Sequence, residues 1–363
     1  MERSLLKELN KSTLEAYVNR ARDTFFKRMF WTQFFMLKYT TQLTWESLSG
    51  SSGSPVMADV IEYNSSAPLK SRRVVSKAHG DIPKIAIKRK MDEKDYNDYI
   101  TLQALASDTN RKAVLDIVFN DADFCYEGVL ARTEYLCMQA LSYGGLTLDA
   151  NNNNGIITET AVDFGIPSAN KTAVGVVWST AASATPITDI KTKVEAAADN
   201  GHSIGYIVMD KATLNYMLAT TEVKDSFSTF QRLSTNRKNF VTLEDLNTML
   251  SALLLPTVVV VDSKVRFENG EHTLSTVAPW KTGYVSFLPE LNVGNLKHGP
   301  IAEENAESIA KKATLVKKDH VLITKWSDLE PFGEFTKAQA NAFPVFNDVE
   351  SIYLLKTNGT SWS

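Results

Sequence analysis

The side chains best suited to chemistry in this sequence do not gather. His79, His202, His272, His298 and His320 are spread along the chain, and none forms an H-E-x-x-H or H-x-H arrangement. Only Cys125 and Cys137 could add thiolate ligands, so no zinc spacing appears. Each histidine reads as a surface or loop residue. On one helix the two cysteines would stand roughly 18 Å apart, at a rise of ~1.5 Å per residue. That is too far for a disulfide, and both read as free thiols of a reducing compartment. "DADF" at 121–124 offers two carboxylates, but on a helix Asp121 and Asp123 diverge by about 200° and cannot share a proton or a metal. "GSSGS" at 50–54 misses the G-x-S-x-G elbow because Ser54 takes the last glycine position. "GIPSANKTAVG" lacks the glycine that a phosphate loop needs before Lys171. The expectation is a protein with no catalytic, metal or cofactor-binding site and no cofactor.

Composition narrows the remaining classes. The chain has 363 residues, 44% of them hydrophobic, which allows two or three folding units. Its 39 Lys and Arg against 42 Asp and Glu give a net charge of -3. That balance argues against a dedicated nucleic-acid binder. The start, "MERSLLKELNKSTLEAY", is charged throughout and carries no apolar signal core. "LSALLLPTVVVVD" is too short to span a bilayer and is broken by Pro256. The aromatic run "FFKRMFWTQFFML" at 25–37 fits packing against another protein surface, with a membrane-interface helix as the alternative.

The elements that would carry these residues follow from periodicity. Residues 1–50 read as an N-terminal arm with Leu5, Leu6, Leu9, Leu14, Tyr17 and Val18 at helical spacing. Residues 51–90 read as an extended, basic segment. Pro55, Pro68, Gly80 and Pro83 discourage helix there, and "VMADVIEY" and "KIAIKRK" are strand-like and could pair as a hairpin. Such a hairpin is marginal alone and must rest on something else. Residues 92–143 form the strongest helical segment, with a break expected near "SDTN" at 107–110 and a glycine stop at "SYGG". "GLTLDANNNNGIITET" reads as a hairpin around Asn-Gly. Helix and strand patterns then alternate between 178 and 290, as in an α/β subdomain, and the chain returns to strands in "HVLITKW", "FGEFTKAQANAFPVF" and "ESIYLLKT". The unusual features are all extensions, which bury little surface within one subunit.

That order of elements resembles the major capsid proteins of tailed bacteriophages, of the lambda-like (major capsid protein E) type. "FFKRMF" ahead of "SGSPVMADVIEY" carries the resemblance at one end, and "VGNLKHGPIAEENAES" followed by "KKDHVLITKWSDLEPFGEFTKAQANAFPVFND" and "VESIYLL" at the other. The resemblance implies an α+β, Hong-Kong-97-type capsid fold: N-terminal arm 1–50, extended loop 51–90, peripheral domain 91–174 with 319–363 and its spine helix 92–143, and axial domain 175–318. It implies a shell of pentamers and hexamers enclosing double-stranded phage DNA, assembled in the host cytoplasm. A scaffolding protein, a portal and a cementing protein are the expected partners, with non-specific contact to the packaged DNA and no membrane. The residues expected at the assembly interface are Lys70, Arg72, Arg73, Lys77 and Lys84 on the arm, with Phe25, Phe26, Phe30 and Trp31. Some relatives cross-link lysine to asparagine, but no spacing marks Lys70, Lys77 or Lys84 as reactive toward Asn341 or Asn347. An encapsulin-like compartment is the alternative with the same fold. A cytosolic α/β enzyme with its pocket in 178–290 is the alternative from another class.

Overall fold

The computed structural model describes residues 11–49, 76–104, 108–149, 152–153, 160–231, 240–268, 273–306, 312–330 and 332–362. Along the chain run α1 (Lys11–Phe25), α2 (Trp31–Phe34), β1 (Phe35–Tyr39), β2 (Thr44–Ser49), β3 (Ser76–Asp81), β4 (Lys84–Met91), α3 (Glu93–Ala104) and α4 (Asp108–Tyr143). There follow β5 (Gly145–Leu148), β6 (Thr160–Asp163), β7 (Lys171–Ala173), α5 (Pro186–Asp199), β8 (Tyr206–Asp210), α6 (Lys211–Ala219), α7 (Thr221–Phe230), α8 (Leu243–Ala252) and β9 (Thr257–Val261). The last are β10 (Val265–Glu268), β11 (Leu274–Val277), β12 (Tyr284–Leu288), β13 (Gly294–His298), α9 (Ala302–Asn305), β14 (Thr314–Lys318), β15 (Val321–Leu329), β16 (Phe332–Phe346) and β17 (Tyr353–Lys356). The chain divides into two compact units, one of residues 1–45, 80–136 and 295–344, the other of 46–79, 137–294 and 345–363.

The first unit is built on a sheet of order β1-β13-β16-β15-β14, with β4 also paired to β16. "KIAIKRK" alternates as a half-buried strand must. Ile85 and Met91 are buried, while Lys84, Lys88, Arg89 and Lys90 are exposed. Its partner is β16, in antiparallel register from Met91↔Glu334 to Lys84↔Asn341. The hairpin expected with "VMADVIEY" rests on residues 56–63, outside the described residues. The buried stripe of α4, including Ala122, Cys125, Val129 and Leu130, belongs to this unit, and Cys125 Sγ donates to the Thr336 carbonyl at 3.5 Å. α3 ends at Ala104 and α4 begins at Asp108, close to the break expected at 107–110.

Residues 11–45 are more than an arm. Leu14, Val18, Trp31, Phe34 and Phe35 are all at most 2% exposed, and β1 completes the edge of the sheet. The aromatic run has enough apolar surface to form a core inside its own unit. From sequence alone, that use and packing against a neighbour look alike.

The second unit holds the order β7-β17-β12-β8-β9. β8 and β9 are parallel, as a crossover through three helices allows. Its core includes Trp178, Ile187, Ile207, Met217, Leu246, Phe287 and Tyr353. α8 starts with a capping box in which Thr242 Oγ1 accepts from the Asp245 N–H at 3.2 Å and Asp245 Oδ2 accepts from the Thr242 N–H at 3.1 Å. Gly144 ends α4 with φ +71, donating to the Ala140 carbonyl at 2.8 Å.

Two features differ from the sequence expectation. β7 and β17, assigned by sequence to 91–174 and 319–363, pair with each other and with β12, while β14, assigned to 175–318, pairs with β15. Pairing over such separations leaves no local signal. The expected hairpin exists as β5 and β6, paired from Gly145↔Asp163 to Leu148↔Thr160, and "GIITE" lies outside the described residues. "KATLNYMLATTEVKDSF" is two helices, because Thr220 takes an extended ψ of 150° between them.

Candidate assembly surface

The two carboxylates and two cysteines singled out from the sequence are held in structural surroundings. Asp121 and Asp123 diverge as helical spacing requires: Asp121 meets Arg89 at 3.3 Å, and Asp123 accepts from the Tyr17 hydroxyl at 3.0 Å. Burial holds both carboxyls above their usual range, with Arg89 and Tyr17 opposing it. Cys125 and Cys137 are both buried, and neither is in a disulfide. Burial, with Asp121 nearby, pushes the Cys125 thiol up to about 12, so it is no nucleophile. Among the described residues no three His, Cys, Asp or Glu side chains converge on a metal position.

His320 sits in the turn between β14 and β15, as the expectation of surface or loop histidines allows, but it is not at the surface. It is 2% exposed, edge-on to Trp31 at 5.9 Å and beside His298 at 6.2 Å. The segment "KKDHVLITKW" turns at Asp319, which has φ +51 and takes an ion pair from Arg22 at 2.6 Å. That turn directs the next residue inward.

The residues expected at the interface divide into three groups. Lys70, Arg72 and Arg73 lie outside the described residues. Lys77 falls on β3, with its side chain outside the description. Lys84 is 53% exposed and reaches Glu303 at 3.6 Å, an oxygen that Lys337 holds more closely at 2.7 Å. Exposed pairs of this kind contribute only ~0–1 kcal/mol, so Lys84 stays available to a partner. Trp31 is the correction: it is 1% exposed, and its backbone N–H donates to Glu134 Oε2 at 2.9 Å. It belongs to the core because Glu134, itself buried, anchors the start of α2 through both Phe30 and Trp31. Phe26 packs edge-on against Trp31 at 5.4 Å, and Phe25 lies under Arg28 at 5.6 Å. Phe25, Phe26 and Phe30 remain half-buried.

Lys88 and Lys90 belong to the basic segment read from the sequence but are not among the residues expected at the interface. They alternate with the apolar residues of β4 and stand over the Phe335 ring at 5.1 and 6.0 Å, and that ring stacks on Trp326 at 5.3 Å. Among the described residues β4 has no strand beyond it. A lysine-rich edge of this kind resists indiscriminate strand pairing. What the arrangement offers is a basic, aromatic-backed rim rather than a reaction centre.

The sequence matches phage major capsid protein E over residues 11–357. The chain belongs to that family. No curated protein matches it. Among solved structures it is similar to a prophage protein assigned as a capsid protein, from E. coli CFT073, at 15% identity over 96% of this chain and 99% of the other, with a TM-score of 0.58. It is also similar to a phage-related protein from Bordetella bronchiseptica RB50, at 13% identity over 96% of each chain, with a TM-score of 0.54. The capsid protein therefore has the Hong-Kong-97-type fold. It is a structural subunit of a phage capsid shell built from many copies, and its family is not one of enzymes. No helix among its described residues is long and apolar enough to cross a membrane.

Proposed function

We propose that residues 51–90 are the extended loop of the capsid protein, anchored at its base by β4 in the subunit's own sheet, with the part upstream of β3 lying across a neighbouring subunit in the shell. The observation that supports this most is β4, where Lys84, Lys88 and Lys90 line an edge with no further strand among the described residues. Lys70, Arg72, Arg73 and Lys77 continue the same charge upstream. Their partner would be an acidic surface such as the Asp92, Glu93 and Asp95 cluster of another copy. Such pairs set register and choice of partner more than affinity, and repetition around a closed shell supplies cumulative strength. Within this reading the first unit carries the peripheral role and the second the axial role, with the strand exchanges given above. The shell assembles in the host cytoplasm with a separate scaffolding protein, a portal and a cementing protein. Its inner wall meets double-stranded DNA without specific contacts, consistent with a net charge of -3.

Deleting 56–74 tests the loop. The expected product keeps wild-type circular dichroism and unfolding temperature but yields no closed particles by electron microscopy. Particles of normal size from this deletion would refute the assignment.

A further inference from the structure

Leu254 follows the last turn of α8 in a conformation that its own subunit does not reward. The helix ends in a complete Schellman motif: the Leu254 N–H donates to the Ser251 carbonyl at 3.0 Å and the Leu255 N–H to the Leu250 carbonyl at 2.9 Å. The motif needs a left-handed residue, and Leu254 supplies it with φ +58. Glycine, or asparagine, is the ordinary occupant, because a Cβ is penalised there. The glycines with positive φ in the same unit, at 144, 165, 201 and 283, follow that rule. Among the described residues the only other non-glycine with positive φ is Asp319, which has its ion pair with Arg22. Leu254 is 93% exposed, and Leu253 beside it is 42% exposed. Backbone conformation and hydration both disfavour leucine here.

We propose that Leu254 is a contact residue for a second copy of this chain, its strained, projecting side chain being buried only when subunits associate. The inference rests on the self-assembly of the capsid protein. Two further observations choose the occupant. Residues 246–261 carry no charged side chain, so this rim offers nothing to the phosphates of DNA and suits an apolar patch on a near-neutral protein. Leu254 also leads into β9, the outermost strand of its sheet. There Asn247 occupies the edge, accepting from the Val258 N–H at 2.8 Å and donating to its carbonyl at 3.1 Å. The plug blocks backbone pairing with a foreign strand at that point and leaves contact to side chains.

The test compares full-length wild type with Leu254→Gly, Leu254→Asn and Leu254→Met. Unfolding temperature is measured on unassembled subunits, and oligomers and particles are counted by mass photometry and electron microscopy. The expected result is that Gly and Asn raise the unfolding temperature by about 2–4 °C and lower particle yield at least tenfold, while Met assembles as wild type. A Leu254→Gly chain that assembles in wild-type amounts overturns the proposal. So does one that unfolds below wild type, since the leucine would then serve its own fold. A wild-type chain that forms neither oligomers nor particles removes the self-assembly itself, and the inference falls with it.

Discussion

His320 makes the stability of the first unit depend on pH. Burial, with His298 beside it, lowers its pKa to about 3, against ~6.5 in an unfolded chain. Protonation therefore favours unfolding. The stability tied to the neutral ring is complete above about pH 6.5 and drains as pH falls toward 3, by at most about 1.4 kcal/mol per unit for one group. Urea unfolding of wild type between pH 7 and 4.5 should show a steeper decline than His320→Leu, and parallel slopes would contradict the assignment. A second residue-scale test lies in the ion pair of Lys325 and Glu334, 3.4 Å apart and each 1% exposed. Lys325→Met alone strands a buried carboxylate and should cost about 3–5 kcal/mol, whereas the double change with Glu334→Leu should cost much less. A double variant as unstable as the single one would show that the charges are not coupled.

The same distinction between local and distant causes runs through the elements. Gly144 can be read from "SYGG", and the structure adds what a side chain would meet there: Ile166 Cδ1 at 2.8 Å and Leu354 Cδ1 at 3.0 Å. Gly144→Ala should cost about 1–2 kcal/mol from backbone strain, with crowding adding to it, and unchanged thermal unfolding would place the end of α4 elsewhere. Thr242→Ala should cost about 1 kcal/mol through the lost cap of α8. What was legible in the sequence was whatever local rules decide. The short run "KIAIKRK" marked a strand, and the divergence of Asp121 from Asp123 followed from helical geometry. The pairing of β17 with β7 and β12 was hidden, because "ESIYLLKT" reads as a strand beside any partner. The burial of Trp31 was hidden for a related reason. Its partner Glu134 lies on a helix distant in sequence, and an aromatic run has the same pattern whether it covers its own sheet or another molecule.

At the scale of the whole molecule, family membership and fold agree with a chain in which no catalytic constellation was legible. On the reading proposed above, exposed surfaces such as the lysine edge of β4 gain their purpose through other copies. Electron microscopy of the purified full-length chain tests this most directly. The account predicts closed shells in whose reconstructed density the part of residues 51–90 upstream of β3 lies over an adjoining subunit, while β4 stays in its own sheet. A uniform small oligomer that forms no shell at any ionic strength, or shells in which residues 51–90 contact only their own subunit, would contradict it.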